Sequence, residues 1–572
     1  MHRQSAADRL MADAAAGRLT RRRALEAGLK LGLATPVIAA IVAAAPAGAA
    51  AAPAPAPAPA FNPARAAQAG GSTFTVVRDG STPDIDPHSA YDNLASMLFF
   101  GLYEMLVQYK DDRIDEIAPM LAESWEENDD QSVVTFRLAP NAVFHDGTPC
   151  DAEAVQKAFT RFLLMDTGPV NVIKRFVTDP AQIVAVDPVT IRFDLGRPQP
   201  LFLSAMASSF GPLVTNWKEV EANKTDDDPW AHEWFLTNAS GTGPYVLTEN
   251  NLTEVVIMEK FEAYHGGWEG PHFDRIVVRI VPEVSTRRQL LEAGEADATA
   301  LNLTPEIVDA IGSNPDLQVV SYPSSAVFWV IMNAATLNVD ARKGFSYAFP
   351  YEQVTDSAYR GLIQRSGPLA SMVRGADPDV FLYQTDLAKA GELIEAAGFP
   401  PGSGFTYSYA SGSETEQVIA QLFQASLQEM GYTLTLEPLE RGALVDLVYG
   451  DSEPEARPDF IGGWGWWPDY NDPWNQFSPN FTDKTKDGIS NGGYWLNPRF
   501  EELMDEAASY EDEARLTEIM LEAQNILTEQ DPPVIYYGEL LWYSVLRSDV
   551  KGFVPNALYL NAFPFYRMYR ES

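Results

Sequence analysis

Between residues 405 and 438 the hydrophobic period of this 572-residue chain changes twice. Phe405, Tyr407 and Tyr409 alternate as on one face of a strand. Val418, Ile419, Leu422, Phe423, Leu427 and Met430 then recur at helical spacing over 414–430. Gly431 stops the helix, and Tyr432, Leu434 and Leu436 alternate again. Strand, helix and strand of these lengths imply a parallel pair joined by a right-handed crossover, which commits this part of the chain to an α/β layer. Other stretches agree. Residues 72–78 and 133–138 read as strands. A helix is expected from Asp151, its N-cap, to about Leu163, with Val155, Phe159 and Phe162 on one face. A further helix spans about 386–397 and ends at Gly398, and one or two amphipathic helices fill 498–529.

The densest chemistry lies in Gly463-Trp464-Gly465-Trp466-Trp467-Pro468-Asp469-Tyr470-Asn471-Asp472-Pro473-Trp474, which holds four of the chain's 12 Trp. Its Gly and Pro predict a strand end running into a loop, not a helix. Trp466 and Trp467 are adjacent, so on an extended chain they face opposite ways. Indole faces beside carboxylates suit a ligand that is part apolar and part cationic or hydroxylated. The same aromatics would equally serve as a packed core cluster.

The first 50 residues read as an export leader: Thr20-Arg21-Arg22-Arg23-Ala24-Leu25, an apolar run from Leu29 to Ala45, then Ala47-Gly48-Ala49. The arginine cluster gives it a twin-arginine character. Residues 51–70, rich in Ala and Pro, read as an extended spacer. The expected location is the periplasm. Cys150 is the single cysteine, so there is neither a disulfide framework nor a cysteine metal site, and it reads as a small buried residue. Removing residues 1–50, with seven Arg/Lys and three Asp/Glu, takes the net charge from −38 to −42. Phosphate contacts need a basic face, so nucleic acid is excluded as a partner, and the acidity speaks first to solubility. About 500 residues beyond the leader exceed what one core usually holds, which predicts two or more lobes.

No phosphate loop, nucleophile elbow or H-E-x-x-H pair is present. The six His include one pair, His265 and His272, suited to a shared loop, at a spacing that matches no metal site. No catalytic residue, metal or cofactor is expected.

Six segments in order resemble the family-5 extracytoplasmic solute-binding proteins, the peptide, nickel and oligopeptide receptors of ABC importers. They are Asp84-Ile85-Asp86-Pro87 with Phe100-Gly101-Leu102-Tyr103; Ala118-Pro119-Met120-Leu121-Ala122-Glu123-Ser124-Trp125; Phe144-His145-Asp146-Gly147-Thr148-Pro149; Gly241-Thr242-Gly243-Pro244-Tyr245; Gly294-Glu295-Ala296-Asp297; and Arg342-Lys343-Gly344-Phe345-Ser346-Tyr347-Ala348, with Gly344 where Ala is usual.

The resemblance implies a two-lobed periplasmic-binding-protein-like α/β fold that closes on a hinge around ligand. It places lobe I at 71–112, 230–335 and 525–572, an extra domain at 113–229 and lobe II at 336–524. It implies a periplasmic receptor, monomeric, that hands di- or oligopeptides to a permease without chemistry. An oligosaccharide receptor on the same scaffold is the alternative, since stacked Trp suits sugar rings, and a secreted hydrolase is a third. By this likeness Asp469 receives the peptide ammonium, Trp464 and Trp466 line the cleft, and the backbone of Gly463–Trp466 offers strand addition. Gly465, Trp467, Tyr470, Asp472 and Trp474 complete the expected ligand loop, with Tyr91 and Asn93 contributing from the N-terminal region. Glu104, Arg365 and Arg374 are softer expectations. Phe144, Gly147, Gly241 and Pro244 read as fold-determining.

Overall fold

The computed structural model describes residues 72–300, 305–450, 452–485, 489–508, 513–559 and 562–571. The leader and spacer expected at 1–70 lie outside the described residues. One sheet of eleven strands organises the rest. Its strands are β1 (Thr73–Arg78), β2 (Tyr245–Asn251), β3 (Val255–Lys260), β4 (Arg275–Ile280), β5 (Ala298–Ala300), β6 (Leu317–Met332), β7 (Ile363–Gln364), β8 (Gly404–Ala410), β9 (Thr433–Leu439), β10 (Phe460–Trp466) and β11 (Val534–Arg547). They run in the order β9-β8-β10-β6-β11-β5-β1-β4-β3-β2, with β7 paired to β11.

The strand–helix–strand expectation holds. β8 and β9 are parallel from Gly404↔Thr433 to Ala410↔Leu439. The helices used below are α1 (Asn93–Leu102), α2 (Ala152–Met165), α3 (Val339–Ala348), α4 (Leu387–Ala396), α5 (Glu414–Glu429), α6 (Arg441–Tyr449) and α7 (Pro473–Phe481). Helix α5 connects β8 to β9, capped by Ser413, and buries Ile419, Phe423 and Leu427. Asp151 caps α2 as expected, accepting from Ala154 N at 2.9 Å, and Val155, Phe159 and Phe162 are buried.

Two long strands join the halves of the sheet. β6 has 16 residues and β11 has 14, and they pair antiparallel along nearly their whole length. Ser544–Leu546 of β11 pairs with β5, whereas Val327–Met332 of β6 pairs with β10. Each strand therefore begins in one half and ends in the other. Their register breaks between Pro323 and Val327. There Ser324 and Ser325 donate to the carbonyls of Leu540 (2.7 Å) and Ala557 (3.0 Å), which satisfies polar groups the ladder leaves. A separate antiparallel sheet holds Ala122–Glu127, Val133–Leu138, Thr190–Asp194 and Ile183–Asp187, with α2 packed on it.

The recurring segments are joints between elements. Gly241 and Gly243 press against the backbone of Gly101–Tyr103, where a Cβ on Gly243 would come within 2.5 Å of Gly101 O. His145 docks the 144–149 turn on the same glycines, its N donating to Gly241 O at 2.9 Å. Asp86 is fully buried and grips Arg161 of α2 with both oxygens, at 2.8 and 2.5 Å. Arg342 of α3 donates to Pro532 O and Leu337 O and pairs with Asp531. Gly344 stands where the resemblance leads one to expect Ala because α3 lies tight on α4, and a Cβ would meet Ile394 Cγ1 at 2.6 Å.

Candidate functional site

Strand β10 supplies the first wall of the site. On one side Trp464, Gly465 and Trp466 pair with Trp329, Phe328 and Val327 of β6. On the other side β8 pairs only with Phe460 and Ile461, so among the described residues the β8-side edge of Gly462–Trp466 carries no strand. Glycines allow close approach here. Gly463 has φ +65°, and a Cβ on it would overlap the Glu416 carboxyl group.

Two cavities flank this wall. One, of about 360 Å³, is lined mainly by aromatics, among them Phe210, Phe328, Tyr449, Trp464 and Trp467, with Asn93 at its side. The other, of about 340 Å³, is more polar and holds Asp469, Asn171, Arg175, Trp474 and Asn475. Tyr91 and Trp466 line both and so stand between them. As expected, Trp466 and Trp467 diverge. Trp466 packs on the main core and donates Nε1 to Asn475 O at 3.2 Å, whereas Trp467 packs beside Tyr322 and Trp542.

Asp469 is 8% exposed and has no cationic partner among the described residues. Its Oδ1 accepts from Tyr91 Oη at 2.6 Å and its Oδ2 from Asn475 Nδ2 at 3.2 Å. Burial pushes its carboxyl up to about 6, the two hydrogen bonds pulling the other way. A buried acid held only by neutral donors favours a cation nearby.

The end of the tryptophan segment departs from expectation. Pro473 and Trp474 are not loop but the first turn of α7, with Asp472 as N-cap accepting from Trp474 N at 3.0 Å and Pro473 at the first helical position. Asp472 and Tyr470 are both 0% exposed and lie beneath the wall instead of on it. Asp472 pairs with Arg175, whose guanidinium also reaches Tyr470 Oη at 3.2 Å and covers the Trp474 ring at 4.2 Å. These two residues support the loop. Trp474 reaches the polar cavity but anchors Nε1 on Met504 O at 3.0 Å.

The softer expectations are also placed. Glu104 is buried under Tyr264 and His265, both at 3.0 Å, away from either cavity. Arg365 lies 3.7 Å over the Tyr351 ring and donates to Tyr383 O. Arg374 donates its backbone N to Asn471 Oδ1 at 3.0 Å and lines a third cleft of about 750 Å³. Sequence reasoning missed Asn475, Arg175 and Arg441. The Asp472-Pro473 helix start was a local signal for Asn475 three residues on, while nothing local pointed to the two arginines.

The sequence matches the bacterial extracellular solute-binding proteins, family 5 (middle), over residues 116–488. It is 29% identical to the probable D,D-dipeptide-binding periplasmic protein DdpA of Escherichia coli K12, over 83% of this chain and 90% of that one. It is 27% identical to the glutathione-binding protein GsiB of Salmonella paratyphi A, over 82% and 89%. Among solved structures it resembles the periplasmic binding protein DppA of Helicobacter pylori in complex with peptide STSA, with TM-score 0.75, 24% identity, and 88% and 98% coverage. It also resembles a dipeptide binding protein of Pseudoalteromonas sp. SM9913 in complex with Met-Leu, with TM-score 0.74, 21% identity, and 87% and 100% coverage. The fold is that of the two-lobed periplasmic binding proteins, and the chain belongs to the bacterial extracellular solute-binding proteins of family 5.

Proposed function

We propose that this chain is the periplasmic substrate-binding component of an ABC importer. It takes di- or oligopeptides into a cleft between two lobes and delivers them to a permease without chemistry. The observation that carries the reading is Asp469, a buried acid without a cationic partner among the described residues, beside a strand edge at Gly462–Trp466 that no described strand covers. An ammonium at the acid and a peptide backbone along the edge would satisfy both at once. The relatives named as dipeptide-binding, glutathione-binding and peptide-bound proteins support the same ligand class.

In this reading lobe I is drawn mainly from 71–112, 230–335 and 525–572 and lobe II from 336–524, with Val327–Met332 of β6 and Val534–Gly538 of β11 reaching across into it, and 113–229 forms the extra domain. β6 and β11 are the crossing strands, and their register break at 323–327 is the hinge. The oligosaccharide alternative rests on the aromatic wall. Trp464 is a poor sugar platform, however, because Tyr449 meets its ring edge-on at 5.6 Å and Arg441 lies over it at 5.4 Å.

Native mass spectrometry of the exported chain, before and after unfolding and refolding, tests the proposal. A lost mass that fragments into amino acids is the expected result. A mass built of hexose units overturns the peptide reading in favour of the sugar one.

A further inference from the structure

Asn471 stands in the middle of the tryptophan loop, yet it lines neither the aromatic nor the polar cavity. It is 8% exposed, and its backbone nitrogen and both side-chain polar atoms are engaged. Its Oδ1 accepts from Arg374 N at 3.0 Å, which fixes it within its own part of the chain. Its two donors point elsewhere. The backbone N donates to Tyr109 Oη at 3.0 Å, and Nδ2 donates to Ile114 O at 3.1 Å.

The receiving side is rigid. Tyr109 is buried, and its N donates to Tyr559 Oη at 2.8 Å. Tyr559 Oη in turn donates to Ala207 O at 2.8 Å. Tyr109 Oη, besides accepting from Asn471, lies 2.6 Å from Ser204 Oγ. Under the division given above, Tyr109 and Tyr559 belong to lobe I, Ile114 and Ser204 to the extra domain, and Asn471 to lobe II. The neighbours of Asn471 cross the same boundary, Asp469 to Tyr91 and Asp472 to Arg175. They differ from it in one respect. Asp469 lines a ligand cavity, whereas Asn471 lines the third cleft, together with Tyr109, Ile114, Ser204 and Arg374. A hinge rotation that carries the loop away from Tyr109 must break both Asn471 bonds, whatever the ligand is. Each is a bond between neutral groups, of modest net strength, so the contact can be made and broken in each cycle.

We propose that Asn471 is a positioning residue, a pin that holds the tryptophan loop against Tyr109 and Ile114 in the closed form and slows the release of every ligand by the same factor. The inference rests on the two-lobed peptide-receptor reading and deepens it. Asp469 reads the chemistry of the ligand, and Asn471 sets how long the cleft stays shut around it.

The test is stopped-flow release of Ala-Phe and Ala-Ala-Phe from the exported protein, in wild type, Asn471→Ala, Tyr109→Phe and the double variant. Asn471→Ala removes the Ile114 bond, and Tyr109→Phe removes the bond to the Asn471 backbone. Each is expected to speed release about fivefold, by the same factor for both peptides, and the double variant to exceed either. Circular dichroism like that of wild type checks folding, and Tyr109→Phe decides alone if Asn471→Ala does not fold. Unchanged release in Tyr109→Phe overturns the pin, since Asn471 would then act only through Arg374 within its own lobe. Faster release of one peptide and not the other also overturns it, since Asn471 would then read the ligand. Both of these results leave the peptide reading standing. If neither peptide binds wild type, the peptide reading fails, and small-angle scattering of the ligand-stripped proteins decides the pin. A larger radius of gyration in both variants than in wild type supports it, and equal radii overturn it.

Discussion

Tyr91 donates its hydroxyl to Asp469 Oδ1 at 2.6 Å across 378 residues of sequence. The bond joins the N-terminal region to the tryptophan loop at the point where the two flanking cavities meet. A ligand ammonium would share or replace that donor. Asp469→Asn keeps the shape and removes the charge. It is expected to weaken free-amine peptides about 10- to 100-fold, the size of a lost charge-assisted hydrogen bond, and to leave N-acetylated peptides nearly unchanged. Titration calorimetry with both forms decides it, and equal loss for both would reject the ammonium role.

Asp469 also sets a pH dependence. Its carboxyl, raised by burial to about 6, must be ionised to hold a cation. Affinity for free-amine peptides is therefore expected to be flat above pH 6 and to fall by up to about tenfold per unit below it. For the empty protein the sign is opposite. A raised carboxyl pKa costs stability above pH 6, and that cost fades as pH falls from 6 toward the ordinary 3.8. Asp469→Asn should raise the melting temperature at pH 7.5, with the gain shrinking by pH 5.

Tyr91→Phe removes one of the two hydrogen bonds that hold this carboxyl down. The midpoint of the binding–pH curve is expected to move upward, and the melting temperature at pH 7.5 to fall, because a carboxyl held down less firmly costs more stability when ionised. A midpoint that stays put would separate Tyr91 from the acid's electrostatics.

Gly463→Ala places a Cβ against the Glu416 carboxyl at a φ of +65°. The expected cost is about 1–3 kcal/mol of stability, read from denaturant midpoints, with loss of peptide affinity as the strand edge shifts. Gly442→Ala, where a Cβ meets open space, is the control.

How much of this was legible in sequence depends on the range of the forces. The β8–α5–β9 unit was legible because period and stop signals are local. So was the divergence of Trp466 and Trp467, which follows from strand geometry alone. The helical start at Pro473 was misread because Gly and Pro dominate the segment, although Asp472-Pro473 is itself a cap signal. The ion pair of Asp472 was not legible for another reason. Its partner Arg175 lies 297 residues away, and a carboxylate exposed to ligand and one buried in an ion pair look alike in sequence.

That Arg175–Asp472 pair makes the last prediction. Both side chains are nearly inaccessible, at 9% and 0%, and the guanidinium also spans to the carbonyls of Ala507 and Ala508. Removing one partner strands the other charge in a dry site. Arg175→Met is therefore expected to cost about 3–5 kcal/mol. Asp472→Asn alone keeps an oxygen for the Trp474 cap and should cost less. The double variant should be more stable than Arg175→Met, because no unpaired buried carboxylate remains. Chemical denaturation of the four proteins closes the cycle. If the double variant shows only the sum of the single losses, the pair is not coupled, and Arg175 acts through its carbonyl and Trp474 contacts instead.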